Sequence, residues 1–321
     1  MARRILDFLS CMCGKYVVRI NGKTYVRRET IGEGGFSTVD LVEEEGTRQK
    51  FALKQIICHS VEDERVALTE VDNMRKFQHP NVISYVDHDV HQRRDGRKEF
   101  LILLPYYPRG TLLTELEMRG KTKNHLSEEA VLDIFSEICE GVQVMHSAKP
   151  EPLAHRDMKP GNILLDQSYH PVIMDLGSMT NAVTEVSDGR QARRLQDMAA
   201  ETSTMPYRAP ELFSVDLHST VDQRTDIWSL GCLLYALCFF EGPFDDVVRR
   251  GDSVALATVS GNIRFPTSSP YSKGLHDLIL LMLRVDCRER PHIGKVLDIV
   301  KRLQGKAVSE DRASGSRTQQ V

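Results

Sequence analysis

The stretch HRDMKPGN (His155 to Asn162) sets a carboxylate, a cation two residues on and an amide three further in one short loop. That set suits phosphoryl transfer. The Asp157 carboxylate orients a hydroxyl, the Lys159 ammonium steadies the moving phosphoryl group, and the Asn162 amide oxygen holds magnesium. MDLG (Met174 to Gly177) adds a second carboxylate, Asp175, in a strand–turn context suited to a metal bridging phosphate oxygens. Upstream, IGEGGFSTV (Ile31 to Val39) lies between two predicted strands. Gly32 and Gly34 fit the first two positions of G-x-G-x-x-G, and Ser37 stands in the third. Without Cβ atoms such a backbone can close over a phosphate and donate N–H groups, although alone it reads equally as a hairpin turn. In FALK, Lys54 sits inside an apolar strand. A buried ammonium needs a partner charge, which Glu70 can supply; otherwise Lys54 is a surface residue at a strand end.

The elements around these groups fall into two kinds. TYVRRETI, TVDLVEE and KFALKQII carry strand-like runs, and VISYVDHDV and EFLILLPYY predict two more strands. Between them Val61 to Phe77 reads as an amphipathic helix with Val66, Thr69, Met74 and Phe77 near one side. After Gly110 the pattern turns helical. Ser127 caps a helix over Ser127 to Ser147, with Glu128 and Glu129 at its positive end. TDIWSLGCLLYALCFF, KGLHDLILLMLRV and GKVLDIVKRLQ predict further helices, and QARRLQDMAAE (Gln191 to Glu201) looks helical too. The polar end from Gly305 reads as a disordered tail.

Taken in order, with HPN (His79 to Asn81), YRAPE (Tyr207 to Glu211) and DIWSLG, these segments resemble the signature set of eukaryotic protein kinases. The resemblance covers about 25–303. It implies an α+β, two-lobed protein kinase fold: a small antiparallel N-lobe with one helix (25–107) and a larger, mainly helical C-lobe (108–303). Residues 1–24 would then be an N-terminal membrane-tether segment and 304–321 a disordered tail. The cofactors implied are ATP and Mg2+. Ile31, Gly32, Glu33, Gly34, Gly35, Phe36, Ser37, Thr38 and Val39 would cover the ATP phosphates. Lys54, paired with Glu70, would hold the α- and β-phosphates, and the Pro105 carbonyl and Tyr107 N–H would meet adenine. Asp157, Lys159 and Thr204 become the catalytic residues, Asn162 and Asp175 the metal ligands, and Glu211 with Arg290 a structural bridge. Lys159 and Thr204 follow the serine/threonine pattern, so the substrates are protein hydroxyls, the chain's own included. Arg156 implies a phosphorylated activation-segment residue, with Thr202, Ser203 and Tyr207 as candidates; the alternative is constitutive activity, with Glu185 or Glu201 standing in. A pseudokinase scaffold and a small-molecule phosphotransferase are the competing readings, and Lys54, Asp157, Asn162 and Asp175 are all present against the first.

GEGGFS, LPYYPRGTL, MDLGSM, YRAPELFSV and GDSVALA are similar to the Numb-associated kinase family, in particular its myristoylated and palmitoylated, Golgi-associated branch. That branch implies a place on the cytoplasmic side of Golgi, secretory or endosomal membranes. It also bears on Cys11 and Cys13, a pair that by itself could bind metal, form a redox couple, take a fatty acid or do nothing. No other Cys/His cluster is near and the spacing is not C-x-x-C, and the branch palmitoylates a pair at this place. Ala2 departs from the glycine that myristoylation requires. Two palmitates, with Arg3 and Arg4 drawing anionic lipid and Ile5, Leu6, Phe8 and Leu9 making first contact, would then have to anchor the chain.

The bulk properties agree with a globular chain: 41% hydrophobic and 27% charged residues, with net charge −3. That charge gives no general attraction to nucleic acid, and the basic run HQRRDGRK reads as a solvated loop. The seven cysteines form no disulfide pattern, which predicts a reducing compartment. His88 and His91 lack the companions of a zinc site. No secretory signal is expected at the start, and Leu230 to Phe240 falls short of the roughly 20 apolar residues of a membrane span. The oligomeric state is not legible.

Overall fold

The computed structural model describes residues 16–34 and 37–315, with side chains through 305. Cys11, Cys13, Gly35 and Phe36 lie outside the described residues. The chain divides into two compact units, Met1–Gln78 with Ile83–Tyr107, and His79–Val82 with Pro108–Val321. The break after Tyr107 falls where the sequence changes character.

The first unit is built on one antiparallel sheet. Its strands are β1 (Val17–Ile20), β2 (Lys23–Glu33), β3 (Ser37–Glu44), β4 (Lys50–Cys58), β5 (Asp87–Gln92) and β6 (Lys98–Pro105), in the order β1-β2-β3-β4-β6-β5. Side chains alternate across a strand, so one face of β4 buries Phe51 and Leu53 while Lys54 points to the other. Phe51 and Leu53 join Val18, Ile20, Tyr25, Val42, Leu101 and Leu103 in a single apolar cluster. The Tyr25 and Phe51 rings meet edge to face at 5.9 Å. β1 thus belongs to the sheet, although the sequence reading placed 1–24 outside the kinase domain; Val18 and Ile20 point into the core and draw it in.

Helix α1 (Val61–Lys76) starts at a reciprocal cap. The Ser60 hydroxyl accepts from the Asp63 amide at 3.1 Å, and the Asp63 carboxylate accepts from the Ser60 amide at 3.0 Å. Its buried residues include Ala67, Glu70, Val71 and Met74, at the spacing of one helical face. Val66 is 50% exposed and Thr69 is exposed, so the expected face was rotated by about one residue. Ala67, not Val66, packs with Cys58 and Phe100.

The strand expected from Val82 begins instead at Asp87. Val82 makes a parallel bridge to Ile173 of the second unit, and the buried Asn81 amide donates to Glu137 and to the Pro171 carbonyl. These bonds assign His79–Val82 to the larger unit, against the expected lobe boundary.

The second unit is mainly helical: α2 (Leu112–Thr122), α3 (Glu128–His146), α4 (Gly189–Thr202), α5 (Arg224–Phe239), α6 (Asp245–Arg249), α7 (Val254–Ser260), α8 (Lys273–Met282) and α9 (Ile293–Gly315). Ser127 caps α3 as expected, its side chain accepting from the Ala130 amide. At Gly141 of α3 a Cβ would stand 2.8 Å from Ile173 Cδ1 and 2.9 Å from the Asn81 carbonyl, so only glycine lets these segments approach. α5 is apolar nearly all round and is the buried centre of the unit, Trp228 included. No helix among the described residues is long and apolar enough to cross a membrane. α9 continues to Gly315, through most of the stretch expected to be a disordered tail. Short antiparallel ladders complete the unit: β7 (Leu153–Ala154) with β10 (Thr180–Asn181), β8 (Ile163–Leu165) with β9 (Pro171–Ile173), and β11 (Thr184–Val186) with β12 (Ser219–Val221).

Candidate active site

In the first unit the candidate phosphate groups sit on β2, β3 and β4. Gly32 pairs with Val39 and Glu33 with Thr38, and the Gly34 amide donates to the Ser37 carbonyl at 2.7 Å to close the hairpin. A Cβ on Gly34 would stand 3.2 Å from Ser37 Oγ, tighter than an ordinary contact. Ile31 is 43% exposed at the edge of this turn. Lys54 Nζ donates to Glu70 Oε1 at 2.6 Å, with side-chain exposures of 16% and 5%. The expected ion pair therefore forms, and it forms because α1 turns Glu70 inward with Ala67 and Met74. Pro105 ends β6 opposite Phe51, and Tyr107 closes the unit.

The second unit brings the other residues together around Asp157. Its Oδ1 accepts from the Thr204 amide at 2.7 Å, and its Oδ2 from Asn162 Nδ2 at 3.0 Å and Lys159 Nζ at 2.8 Å. Lys159 Nζ also donates to Thr204 Oγ1 at 2.5 Å. Asn162 Nδ2 donates as well to the Asp157 carbonyl at 2.8 Å. Both amide hydrogens of Asn162 are thus committed toward Asp157, and its oxygen is left as the ligand group. Asp175 reaches the same end of the β8–β9 ladder, because the Met174 amide donates to the Asn162 carbonyl at 2.9 Å. Asp175 itself adopts a left-handed conformation, φ 61°, a strained choice for a non-glycine residue. Leu176 after it is fully buried. An amide oxygen and a carboxylate on adjacent ladder ends are hard oxygen donors, so these residues fit a magnesium ion.

One anchoring residue escaped the sequence reading. Asp226, in the first turn of α5, is fully buried and takes three hydrogen bonds: from the His155 amide (2.8 Å), the Arg156 amide (2.9 Å) and His146 Nε2 (2.9 Å). Burial by itself pushes its carboxyl up. The His146 hydrogen bond and the Arg156 charge outweigh that and hold it below the usual aspartate range. His155 is oriented in turn, Nδ1 accepting from the Asp157 amide at 3.2 Å and Nε2 donating to the Met174 carbonyl at 3.1 Å. The one signal in the sequence is an acidic residue opening an otherwise apolar helix.

Arg156 is buried in the second unit, 5% exposed. Its guanidinium donates to Thr225 Oγ1 (2.8 Å) and, within the segment between the DLG and APE motifs, to the Ala182 carbonyl (2.9 Å). Burial pulls it below the usual arginine range, with Asp226, Glu211 and Asp222 acting the other way. Thr202 is exposed at the end of α4, its hydroxyl donating to the Met198 carbonyl. The Ser203 hydroxyl meets Arg208 instead, at 2.7 Å. Tyr207 is buried, and burial beside Asp245 pushes its phenol up. Glu185 accepts from Thr220 Oγ1. The expected bridge is present: Arg290 donates to both Glu211 oxygens at 2.7 Å, its side chain wholly buried against Trp228.

A small antiparallel sheet with one helix and a helical unit carrying this aspartate–lysine–asparagine loop define a protein kinase. Residues 25–300 match the protein kinase domain model, and the chain belongs to that family. It is 45% identical over 294 residues to serine/threonine-protein kinase 16 of Rattus norvegicus and, at the same identity, to that of Homo sapiens, covering 92% of this chain and 95% of each relative. It is 31% identical over 350 residues to serine/threonine-protein kinase ENV7 of Saccharomyces cerevisiae, covering 91% of this chain and 96% of that one. The chain is a serine/threonine protein kinase, of a family that uses ATP and a divalent metal ion and acts on protein substrates.

Proposed function

We propose that this chain is an active, membrane-tethered kinase of the Numb-associated family that phosphorylates serine and threonine hydroxyls, its own included. The observation that carries catalysis is the Asp157 carboxylate, held by Thr204, Asn162 and Lys159 with its oxygens in fixed directions. A substrate hydroxyl at Asp157 is oriented for attack and gives up its proton there. Lys159 places positive charge where the transferred group accumulates negative charge, and its bond to Thr204 keeps it there. Lys54, steadied by Glu70, and the backbone of the hairpin from Ile31 to Val39 bind the phosphates, while Pro105 and Tyr107 take the adenine. Asn162 and Asp175 would hold Mg2+, which, bound with ATP, neutralises the phosphate oxygens as the γ-phosphoryl group leaves ADP. Transfer of radiolabelled phosphate from ATP to a protein, compared with Asp157→Ala, tests this. Incorporation should fall by at least about 100-fold; equal incorporation by both would leave the pseudokinase reading standing.

The tether rests on the sequence. Cys11 and Cys13 carry palmitate, with Arg3 and Arg4 adding attraction to anionic lipid. The site of action is the cytoplasmic face of Golgi, secretory or endosomal membranes, with a role in trafficking. A tagged chain should leave membranes when Cys11→Ser and Cys13→Ser are combined, and lose its hydroxylamine-sensitive acyl label. Unchanged membrane association would sink the tether.

A further inference from the structure

Between α4 and the buried Tyr207 the chain presents Thr204 to Asp157, and the loop that does so is closed by a residue outside the set described above. Arg208 Nε donates to Ser203 Oγ at 2.7 Å, and Arg208 Nη2 donates to the Ser203 carbonyl at 2.9 Å. Ser203 passes the connection on to α4, its hydroxyl and its amide both donating to the Ala199 carbonyl, at 2.6 and 3.1 Å. Arg208 is 9% exposed and lies over the Phe213 ring at 4.9 Å. Burial pulls its guanidinium below the usual arginine range, and the Asp157 charge acts against that. No carboxylate hydrogen-bonds to it among the described residues. A buried cation that spends its bonds on one neutral residue is costly for stability alone. What the guanidinium contributes is geometry, since its planar fork holds two acceptors in a fixed relation.

We propose that Arg208 is a positioning residue, which by gripping Ser203 at both hydroxyl and carbonyl holds the next residue, Thr204, in register with Asp157 and Lys159. The chain of contacts is continuous. α4 is stapled onto the second unit by Ala192, Leu195 and Ala199; Ala199 holds Ser203; Arg208 closes Ser203 to Arg208 into a ring. The buried far side of that ring is fixed where Ser229 Oγ donates to the Tyr207 carbonyl at 2.8 Å. Within it Thr204 and Pro206 are half-buried and Met205 is exposed. In this role Ser203 is a structural joint, its hydroxyl already engaged as both donor and acceptor.

The inference rests on Asp157 being the catalytic carboxylate, so the test carries Asp157→Ala as a separate arm. With the full chain, Mg-ATP and dephosphorylated casein, kcat and the KM for ATP are measured for Arg208→Leu, Arg208→Lys and Ser203→Ala. A displacement on the order of 1 Å at a reacting group costs about 100-fold, so Arg208→Leu should lower kcat roughly 10- to 100-fold. Ser203→Ala, which keeps the carbonyl contact, should lower it about 3- to 10-fold. In both, the KM for ATP should stay within about twofold, and Arg208→Lys should recover part of the loss through its single remaining contact. If Arg208→Leu fails to fold, Ser203→Ala decides. A parental kcat in that variant, or a KM for ATP that rises as kcat falls, overturns the inference. An active Asp157→Ala instead overturns the catalytic reading beneath it.

Discussion

Replacing Asp226 by asparagine keeps the shape of the side chain and removes its charge at the point where the catalytic loop is tied to α5. Three donors converge on the carboxylate, two backbone amides and His146. An amide can offer its oxygen to the two donors on one side, those of His155 and His146. Its NH2 must then face the Arg156 amide, donor against donor. One hydrogen bond is lost, a buried N–H is left unsatisfied, and two bonds lose their charge assistance. At about 1–3 kcal/mol for the unsatisfied group and a further 1–2 for the weakened bonds, the loss is about 2–5 kcal/mol. That is a large part of the 5–15 kcal/mol typical of a folded domain. The chain's single tryptophan, Trp228, is fully buried two residues away and reports unfolding of this unit by fluorescence. Urea titrations at neutral pH should show the unfolding free energy fall by that amount, while Asp277→Asn, at an exposed helix pair, should change it by less than about 0.5 kcal/mol. The pH dependence gives a second check. The Asp226 carboxyl is held below its unfolded value when folded, so its contribution is fully present above about pH 4 and is lost as pH falls through the folded value. The gap between parent and variant should therefore narrow in acid. A variant within about 1 kcal/mol of the parent at neutral pH would refute the claim that this carboxylate anchors the loop.

Two further outcomes follow from buried contacts. Glu211→Gln leaves the wholly buried Arg290 guanidinium with carbonyl partners at Arg284, Arg224 and Val285 but no counter-charge, and should cost about 3 kcal/mol. Because the pair is shielded from solvent, that loss should persist in 0.5 M salt, as thermal unfolding in the two buffers can show. Gly141→Ala drives a methyl to within 2.9 Å of both Ile173 and the Asn81 carbonyl, and should destabilise the second unit by about 1–3 kcal/mol in the same tryptophan assay. An alanine variant as stable as the parent would mean that α3 and the Asn81 segment are less closely packed than described.

Asp157, Lys159 and Asn162 were legible because their types and short spacings state their chemistry, and a loop of a few residues leaves little freedom in where they go; Asp175, on a separate turn, was legible from its own motif. The cap at Ser127 was readable for the same reason, as it is a local hydrogen bond. The errors lie where distant segments decide. Val66 and Ala67 are neighbours on α1, and nothing local says which of them the sheet will cover. Asn81 and Val82 look like the start of a strand until Ile173, Glu137 and Pro171 supply partners for them.

By itself, then, the sequence determined the two kinds of unit, from periodicity, and the identity of the groups that carry charge, from residue type, while the kinase family came through the resemblance of its ordered motifs. Only the tertiary structure decided which partners those groups take. Arg156 is spent on Ala182 and Thr225, Arg208 on Ser203, and Asp226 on the loop that carries Asp157. The physical reason is burial. A charged side chain inside a protein must bond to whatever the packing places beside it, and that neighbour is set by contacts remote in sequence.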